Sequence, residues 1–208
     1  MKVLKNLGVP VIDADLLGHK AYEPGTPSFA KIVGAFGKEV VGENGKINRA
    51  VLGGKVFGSQ NVPQMKKLTD IVWPCIGELA KTEILEYEKK FQSQSDFKVP
   101  VIALEGAVLI EAGWYQFLDE VWVTYVPPEV AQSRIMQRNG LPPEEASKRI
   151  ASQISNETRL QYASFSVNTN WEIEKTNQKV TEHYQTLLSR LNQQGIQALR
   201  NQIPRPKL

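Results

Sequence analysis

Pro10-Val11-Ile12-Asp13-Ala14-Asp15 is the stretch that decides the fold: an apolar run with two β-branched residues ends in two carboxylates and passes into Leu16-Leu17-Gly18-His19. A short run of this kind reads as a buried strand, and open α/β sheets place their chemistry at the carboxyl ends of such strands. Residues two apart on a strand face the same side, so Asp13 and Asp15 are expected to project together into the cleft at that end. Two like charges held that close need a cation or a shared proton. The plainer reading is that one Asp N-caps a helix starting near Leu16 while the other is solvated.

Outward from this stretch, Val99-Pro100-Val101-Ile102-Ala103-Leu104 reads as a second buried strand, and it too ends in an acid, Glu105. An acid at that place orients a hydrated metal or a substrate hydroxyl, or simply caps the next helix. A short helical segment is expected over Val108–Glu111, stopped near Gly113. Glu120–Val126 (EVWVTYV) is a third strand, and Phe165-Ser166-Val167-Asn168 a weaker fourth, after which Asn168 and Asn170 are loop contacts or turn formers. Ile173–Leu191 reads as a long polar helix with Val180, Tyr184, Leu187, Leu188 and Leu191 as its buried stripe.

Between the first two strands the spacing is helical throughout. Leu16–Tyr22 is short and ends at the turn Glu23-Pro24-Gly25-Thr26-Pro27, and Phe29, Ile32, Val33 and Phe36 recur until Gly37. After the polar turn Gly42–Lys46, a helical pattern resumes at Asn48-Arg49. A further stripe runs through Leu68, Ile71 and Val72 to Trp73-Pro74, where a proline restarts or kinks the helix, and on to Tyr87. Residues 24–93 thus read as an all-helical insert, longer than an ordinary crossover helix, and an insert of that size usually holds a substrate.

Pro127-Pro128-Glu129 opens a helix that carries Arg134 and Arg138 on one face and stops at Asn139-Gly140; Pro142-Pro143 starts the next, with Arg149 and Gln153 sharing a face. Like charges four apart repel by a few tenths of a kcal/mol unless an anion sits between them. The two helices read either as a flap closing on phosphates or as a solvated hairpin with ordinary surface arginines.

The bulk numbers narrow the class. A chain of 208 residues suits one good-sized domain, burying roughly 70% of its unfolded surface. The 25 basic and 22 acidic residues, net +3, are spread along the chain and do not suggest a nucleic-acid or membrane-surface binder. The single cysteine, Cys75, excludes an internal disulfide, lacks a Cys partner for zinc and is expected to be a small buried apolar residue, which fits a reducing compartment. No apolar run approaches the roughly 20 residues of a membrane helix, and no signal-peptide core follows Met1-Lys2-Val3-Leu4. Lys2–Gly8 has the look of the last turns of a helix with a glycine stop.

Strands alternating with helices, acids at the strand tips, a helical insert and an arginine-bearing flap resemble a small-molecule kinase of the P-loop class. The phrases VIDADLLGH, YEPGTPSF, FGKEVVGENGKINRAVLGGKVFG, DIVWPCI, LEGAVLIEAGW, DEVWV and QRNGLPPEEASKRIASQIS follow in the order they take in dephospho-CoA kinases. The resemblance runs from Leu4 to about Leu191 and is nearest to the kinase domain that closes the animal-type bifunctional CoA synthase. It implies an α/β fold with a parallel sheet flanked by helices: a core of residues 1–23, 94–126 and 161–195, the insert 24–93 on the CoA side, a helical lid 127–160 and a disordered tail 200–208, all in a single domain.

The resemblance also implies an activity, transfer of the γ-phosphoryl of ATP to the ribose 3′-hydroxyl of dephospho-CoA with Mg²⁺. Asp15 would accept the hydroxyl proton and Asp13 would hold it and the ribose or Mg²⁺ in place; no residue is a certain metal ligand. Asn48, Arg49 and Glu105 would contact the substrate, and Arg134, Arg138 and Arg149 would neutralise the polyphosphate. No nucleic acid or membrane segment is implied. A cytoplasmic location is, with mitochondrial association of a full-length form, and an adenylyltransferase domain ahead of the kinase in the full-length protein. Trp73-Pro74, where many bacterial members have His-Pro, is the animal-type form.

One departure weighs on activity. The family begins with a strand and a G-x-x-x-x-G-K-[ST] loop, which these residues lack; Gly53-Gly54-Lys55 is followed by Val56 in a helical pattern, without the upstream glycine or the Mg²⁺ hydroxyl. Matching Leu4–Gly8 to the family's first helix leads to the expectation that about twenty residues before Met1 are missing, with the phosphate cradle among them, and that activity is impaired. Two other classes stay open: a non-catalytic module that binds CoA-type ligands, and a kinase for nucleoside monophosphates, against which the long insert and the Asp13–Asp15 pair argue.

Overall fold

The computed structural model describes residues 1–93 and 101–200. In chain order, α1 (Lys2–Asn6) leads to β1 (Val11–Asp13), α2 (Ala14–Ala21), α3 (Pro27–Phe36), α4 (Arg49–Val56), α5 (Val62–Gln92) and β2 (Ala103–Glu105). There follow β3 (Trp122–Tyr125), α6 (Pro128–Asn139), α7 (Pro143–Ala151), α8 (Asn156–Leu160), β4 (Phe165–Asn168) and α9 (Ile173–Arg200). The chain divides into two compact units, Pro10–Ala107 and Met1–Val9 with the chain from Val108 onward.

The first unit carries the acids. Its β1 pairs in parallel with β2, Val11 opposite Ala103, Ile12 opposite Leu104 and Asp13 opposite Glu105. The helices around them start and stop on local chemistry. Thr26 caps α3 by accepting from the Phe29 amide, Pro27 fills the first turn where its missing N–H is no loss, and Gly37 ends the helix at φ +92°. Of the two expectations for Pro74, the restart does not occur, because the 31-residue α5 contains it without a break. Its stripe of Leu68, Val72, Ile76 and Ala80 is buried, and α2, α3 and α4 all pack on this helix. At Gly18 of α2 a Cβ would lie 3.5 Å from Ile76 Cδ1, an ordinary van der Waals contact, so α2 and α5 pass close to one another here.

Two sequence expectations need correction here. Cys75 is half-buried rather than fully buried, and its sulfur lies 3.2 Å from the hydroxyl of buried Ser28, which donates to the Ala21 carbonyl. The second strand is shorter than expected, its first two residues falling outside the described ones. Its described residues are half-buried or exposed: Leu104 is half-covered whereas its partner Ile12 is only 2% exposed. The reason is topological, because β2 has a strand on one side only among the described residues.

The second unit carries the arginines. Here β3 and β4 pair in parallel from Trp122 opposite Phe165 to Tyr125 opposite Asn168, with Val123 and Val167 buried and Thr124 and Ser166 exposed, the alternation of a sheet covered on one face. Leu187 and Leu191 of α9 are buried as the stripe predicts, whereas Val180, Tyr184 and Leu188 are half-covered. Leu4 of α1, which packs on α9, is buried as well. The helical segment expected over Val108–Glu111 is a run of hydrogen-bonded turns ending in a 3-10 turn at Trp114–Phe117, started by Gly113 at φ +73°. Gln153 lies past the end of α7, so it does not share a helix face with Arg149. The tail expected over 200–208 lies outside the described residues beyond Arg200.

A polar hub anchors α9 to the start of β3. Glu120, its side chain 8% exposed, accepts from Arg190 Nη2 at 2.7 Å on one oxygen and from Trp122 Nε1 at 2.7 Å on the other, with His183 Nε2 3.5 Å from that second oxygen. The His183 ring lies flat on Phe165 at 3.7 Å. Burial pushes the Glu120 carboxyl up, but His183 and Trp122 beside it and the Arg190 charge outweigh that and hold it below the usual carboxylate range. A carboxyl depressed on folding stabilises the fold above its unfolded value, near 4.3 for Glu, and that contribution is lost as pH falls through the lower folded value. Glu120→Ala should therefore lose about 2–3 kcal/mol in urea unfolding at pH 7, less than the ~3–5 of a fully buried pair because Arg190 is partly in water. The difference from the unsubstituted chain should shrink as pH drops below about 4.3.

Candidate functional site

At Asp13 the chain changes from strand to helix without an intervening loop. The Asp13 carboxylate accepts from the Asp15 amide at 2.9 Å and the Leu16 amide at 3.2 Å, satisfying two of the orphan donors at the start of α2. This corrects the same-face expectation for the Asp pair: α2 begins at Ala14 rather than near Leu16, so the two-residue strand period stops before Asp15. Asp15 instead stands exposed in the first turn of α2, where the helix dipole favours a negative charge.

The strand register supplies what the local sequence did not. Glu105 lies opposite Asp13 at the shared carboxyl end of the parallel pair, strands of such a pair being about 4.8 Å apart. Three acidic residues from two chain segments therefore lie at or just beyond one strand end, with Asp13 half-buried and Asp15 and Glu105 exposed. No group of three His, Cys, Asp or Glu among the described residues has the arrangement of a protein-made metal cage. Mg²⁺ is ordinarily held by one or two carboxylates together with waters and substrate phosphates, and the acids present fit that looser mode.

Asn48 and Arg49 belong to the same unit but have local work. Asn48 caps α4, its side-chain oxygen accepting from the amides of Ala50 and Val51 at 3.1 and 3.2 Å. The Arg49 guanidinium sits 5.1 Å over the Tyr22 ring. Burial pushes the Tyr22 phenol up, and the Arg49 charge takes back part of that rise. Gly53, Gly54 and Lys55 lie within α4, and Lys55 pairs with Glu39 at 2.8 Å, so they form no phosphate loop.

Arg134, Arg138 and Arg149 lie in the other unit, all exposed and on the helical pair α6 and α7. Gln132 ties these helices together by donating to the Pro143 carbonyl at 3.1 Å and the Ser147 hydroxyl at 2.8 Å. Arg134 reaches the end of β4, donating to the Thr169 carbonyl at 2.7 Å and its hydroxyl at 3.3 Å. Asn168 is a turn former, its side chain accepting from the Asn170 amide at 2.9 Å. Thr169 was not foreseen from the sequence, and no pattern points to it, since it lies 35 residues from Arg134.

The family profile described as dephospho-CoA kinase matches residues 1–175. A dephospho-CoA kinase of Dehalococcoides mccartyi is 35% identical over 173 residues, covering 83% of this chain and 82% of that protein. The chain belongs to the dephospho-CoA kinase family. Another member, from Geobacter sulfurreducens, is 35% identical over 181 residues, covering 87% of each chain. Among solved structures, the dephospho-CoA kinase from Campylobacter jejuni superposes with a TM-score of 0.60 at 28% identity, covering 89% of this chain and 88% of that one. A Thermus thermophilus protein superposes with a TM-score of 0.69 at 24% identity, covering 90% and 88%, and shares the fold.

For this family member the cap and the chemistry at Asp13 can be separated. Asp13→Ser keeps a side-chain oxygen at the N-cap and should unfold within a few tenths of a kcal/mol of the unsubstituted chain, whereas Asp13→Ala should lose about 1 kcal/mol in urea. Both remove the carboxylate, so any ligand-binding loss common to the two belongs to the charge and not to the cap.

Proposed function

We propose that this kinase-family chain takes ATP and dephospho-CoA as substrates, directing the γ-phosphoryl to the ribose 3′-hydroxyl. The observation that carries the reading is the register of Asp13 opposite Glu105 at one strand end, with Asp15 on the helical turn that follows, in a chain of this family. Asp15, solvent-facing and unencumbered by the cap, accepts the proton of the attacking hydroxyl. Asp13, held by its two amide bonds, orients the ribose, and Glu105 supports the same hydroxyls. Bound Mg²⁺ supplies charge neutralisation for the phosphates, with Asp13 and Glu105 as the residues that would hold it. Phosphoryl transfer asks little covalent chemistry of the protein, so positioning and charge are most of the catalysis.

Arg134, Arg138 and Arg149 then serve the polyphosphate, and Asn48 and Arg49 the CoA side. Residues 24–93 act as the substrate-side insert and 127–160 as the lid of a single working domain, nearest in kind to the kinase domain of the animal-type CoA synthase and placed in the cytoplasm. Among the described residues no helix is long and apolar enough to cross a membrane.

The second part of the proposal concerns turnover. The 208 residues hold no G-x-x-x-x-G-K-[ST] segment, and removing one preorganised donor from a site of this kind typically costs about 10²–10³ in rate. The 208-residue polypeptide is therefore a poor kinase that keeps its dephospho-CoA side. Calorimetry should find dephospho-CoA binding, weakened by Asp15→Asn and by Arg49→Ala, and far weaker ATP binding. A coupled ADP-release assay should find turnover at least ~10²-fold below that of family members carrying the loop. Robust turnover would refute the impairment, and a chain indifferent to dephospho-CoA would refute the substrate assignment.

A further inference from the structure

The three arginines of α6 and α7 are not equivalent. Arg138 donates only to its neighbour Asn139, at 3.1 Å, and the Arg149 guanidinium makes no hydrogen bond or ion pair among the described residues. Arg134 is gripped at two points by a single residue, through the carbonyl of Thr169 at 2.7 Å and its hydroxyl at 3.3 Å. Thr169 is itself pinned to the end of the neighbouring strand β3. Its amide donates to the Tyr125 carbonyl at 2.8 Å, and its hydroxyl donates to the same oxygen at 3.3 Å while accepting from Arg134.

We propose that Thr169 is a positioning residue for polyphosphate recognition, holding the Arg134 guanidinium at the carboxyl ends of β3 and β4 so that its remaining donors meet phosphate oxygens. This deepens the kinase reading and rests on it. A guanidinium has five N–H donors, and the Thr169 contacts use two. Both acceptors are neutral, and Arg134 pairs with no carboxylate among the described residues, so its full charge stays available to an anion. The location is the end of a parallel sheet at which open α/β folds bind ligands. A side chain already held in place loses less conformational freedom when the ligand arrives. The rigid planar fork of Arg can grip protein on one edge and an anion on the other, which the single ammonium of Lys cannot.

The test titrates inorganic tripolyphosphate into the whole chain by calorimetry. Thr169→Val, which removes the hydroxyl at nearly constant volume, should weaken binding about 3- to 10-fold. Thr169→Ser should restore it, and Thr169→Val should add nothing to the loss already caused by Arg134→Ala. Arg134→Lys keeps the charge and leaves Thr169 untouched, so it keeps the test open if Thr169→Val unfolds; it too should bind more weakly. Unweakened binding by Thr169→Val or by Arg134→Lys, with Arg134→Ala impaired, overturns the positioning role and leaves the kinase reading standing. Additive losses in the double variant overturn it as well, by showing that Thr169 acts on the fold and not through Arg134. An unsubstituted chain that does not bind tripolyphosphate, or an Arg134→Ala variant that binds normally, overturns both the positioning role and the polyphosphate reading of α6.

Discussion

The acid-bearing unit depends on one constraint: β1 must end at Asp13 and α2 must begin at the very next residue. Backbone amides at a helix start have no internal partner, and a buried or half-buried start without a cap is unfavourable. Asp13 resolves this with one carboxylate oxygen shared between two amides. The cap sets the direction in which α2 leaves the strand, and thereby the close passage of Gly18 against Ile76 of α5. It also decides what each acid can do. The capping carboxylate is held still, the next acid is thrown into solvent on the first helical turn, and the register with β2 brings Glu105 alongside. An acid-rich strand end therefore follows from the need to start a helix abruptly.

What the sequence made legible was local. Thr26 with Pro27, Asn48 before Arg49, Gly37 and Gly140 mark helix ends because each acts on backbone groups within a few residues of itself. The α5 stripe was legible because its periodicity survives Pro74. Of the two readings of the Asp pair, the capping one holds and the same-face one does not, since a two-residue period says nothing about where the strand stops. The half-burial of β2 could not be read at all, because an apolar run carries no record of how many neighbours its strand will find. The grips of Arg134 on Thr169 and of Arg190 on Glu120 join residues 35 and 70 apart, and neither has a spacing signature. The ordered phrases shared with the kinase family carried the functional assignment further than any of these local signals could.

The two long-range arginine contacts have opposite electrostatic outcomes. Arg190 meets a carboxylate that is almost wholly buried, so both charges are consumed in holding α9 to β3, and the pair is a structural fastening. Arg134 meets a carbonyl and a hydroxyl, so it is fixed in place without being neutralised. An exposed cation kept in position by neutral groups is poised for an external anion, whereas one matched to a buried acid is not. The acceptor's charge, and not the arginine's exposure alone, separates the two roles.

The helices bearing the arginines are built to be held by such contacts. No residue of α6 is buried, and Ala146 is the one buried residue of α7, so little apolar surface fastens the pair. Segments with few buried apolar contacts open at low free energy, the property a closing lid requires. Polar ties must then define where α6 rests, and two are in evidence: Gln132 joins it to α7, and Arg134 joins it to the strand end through Thr169. Among the side-chain ties of the described residues, the second is the one that links α6 to the sheet. The same bond therefore fixes the resting place of the helix and the place of its charge, and an anion drawn to that charge acts on the tie that determines how the helix sits.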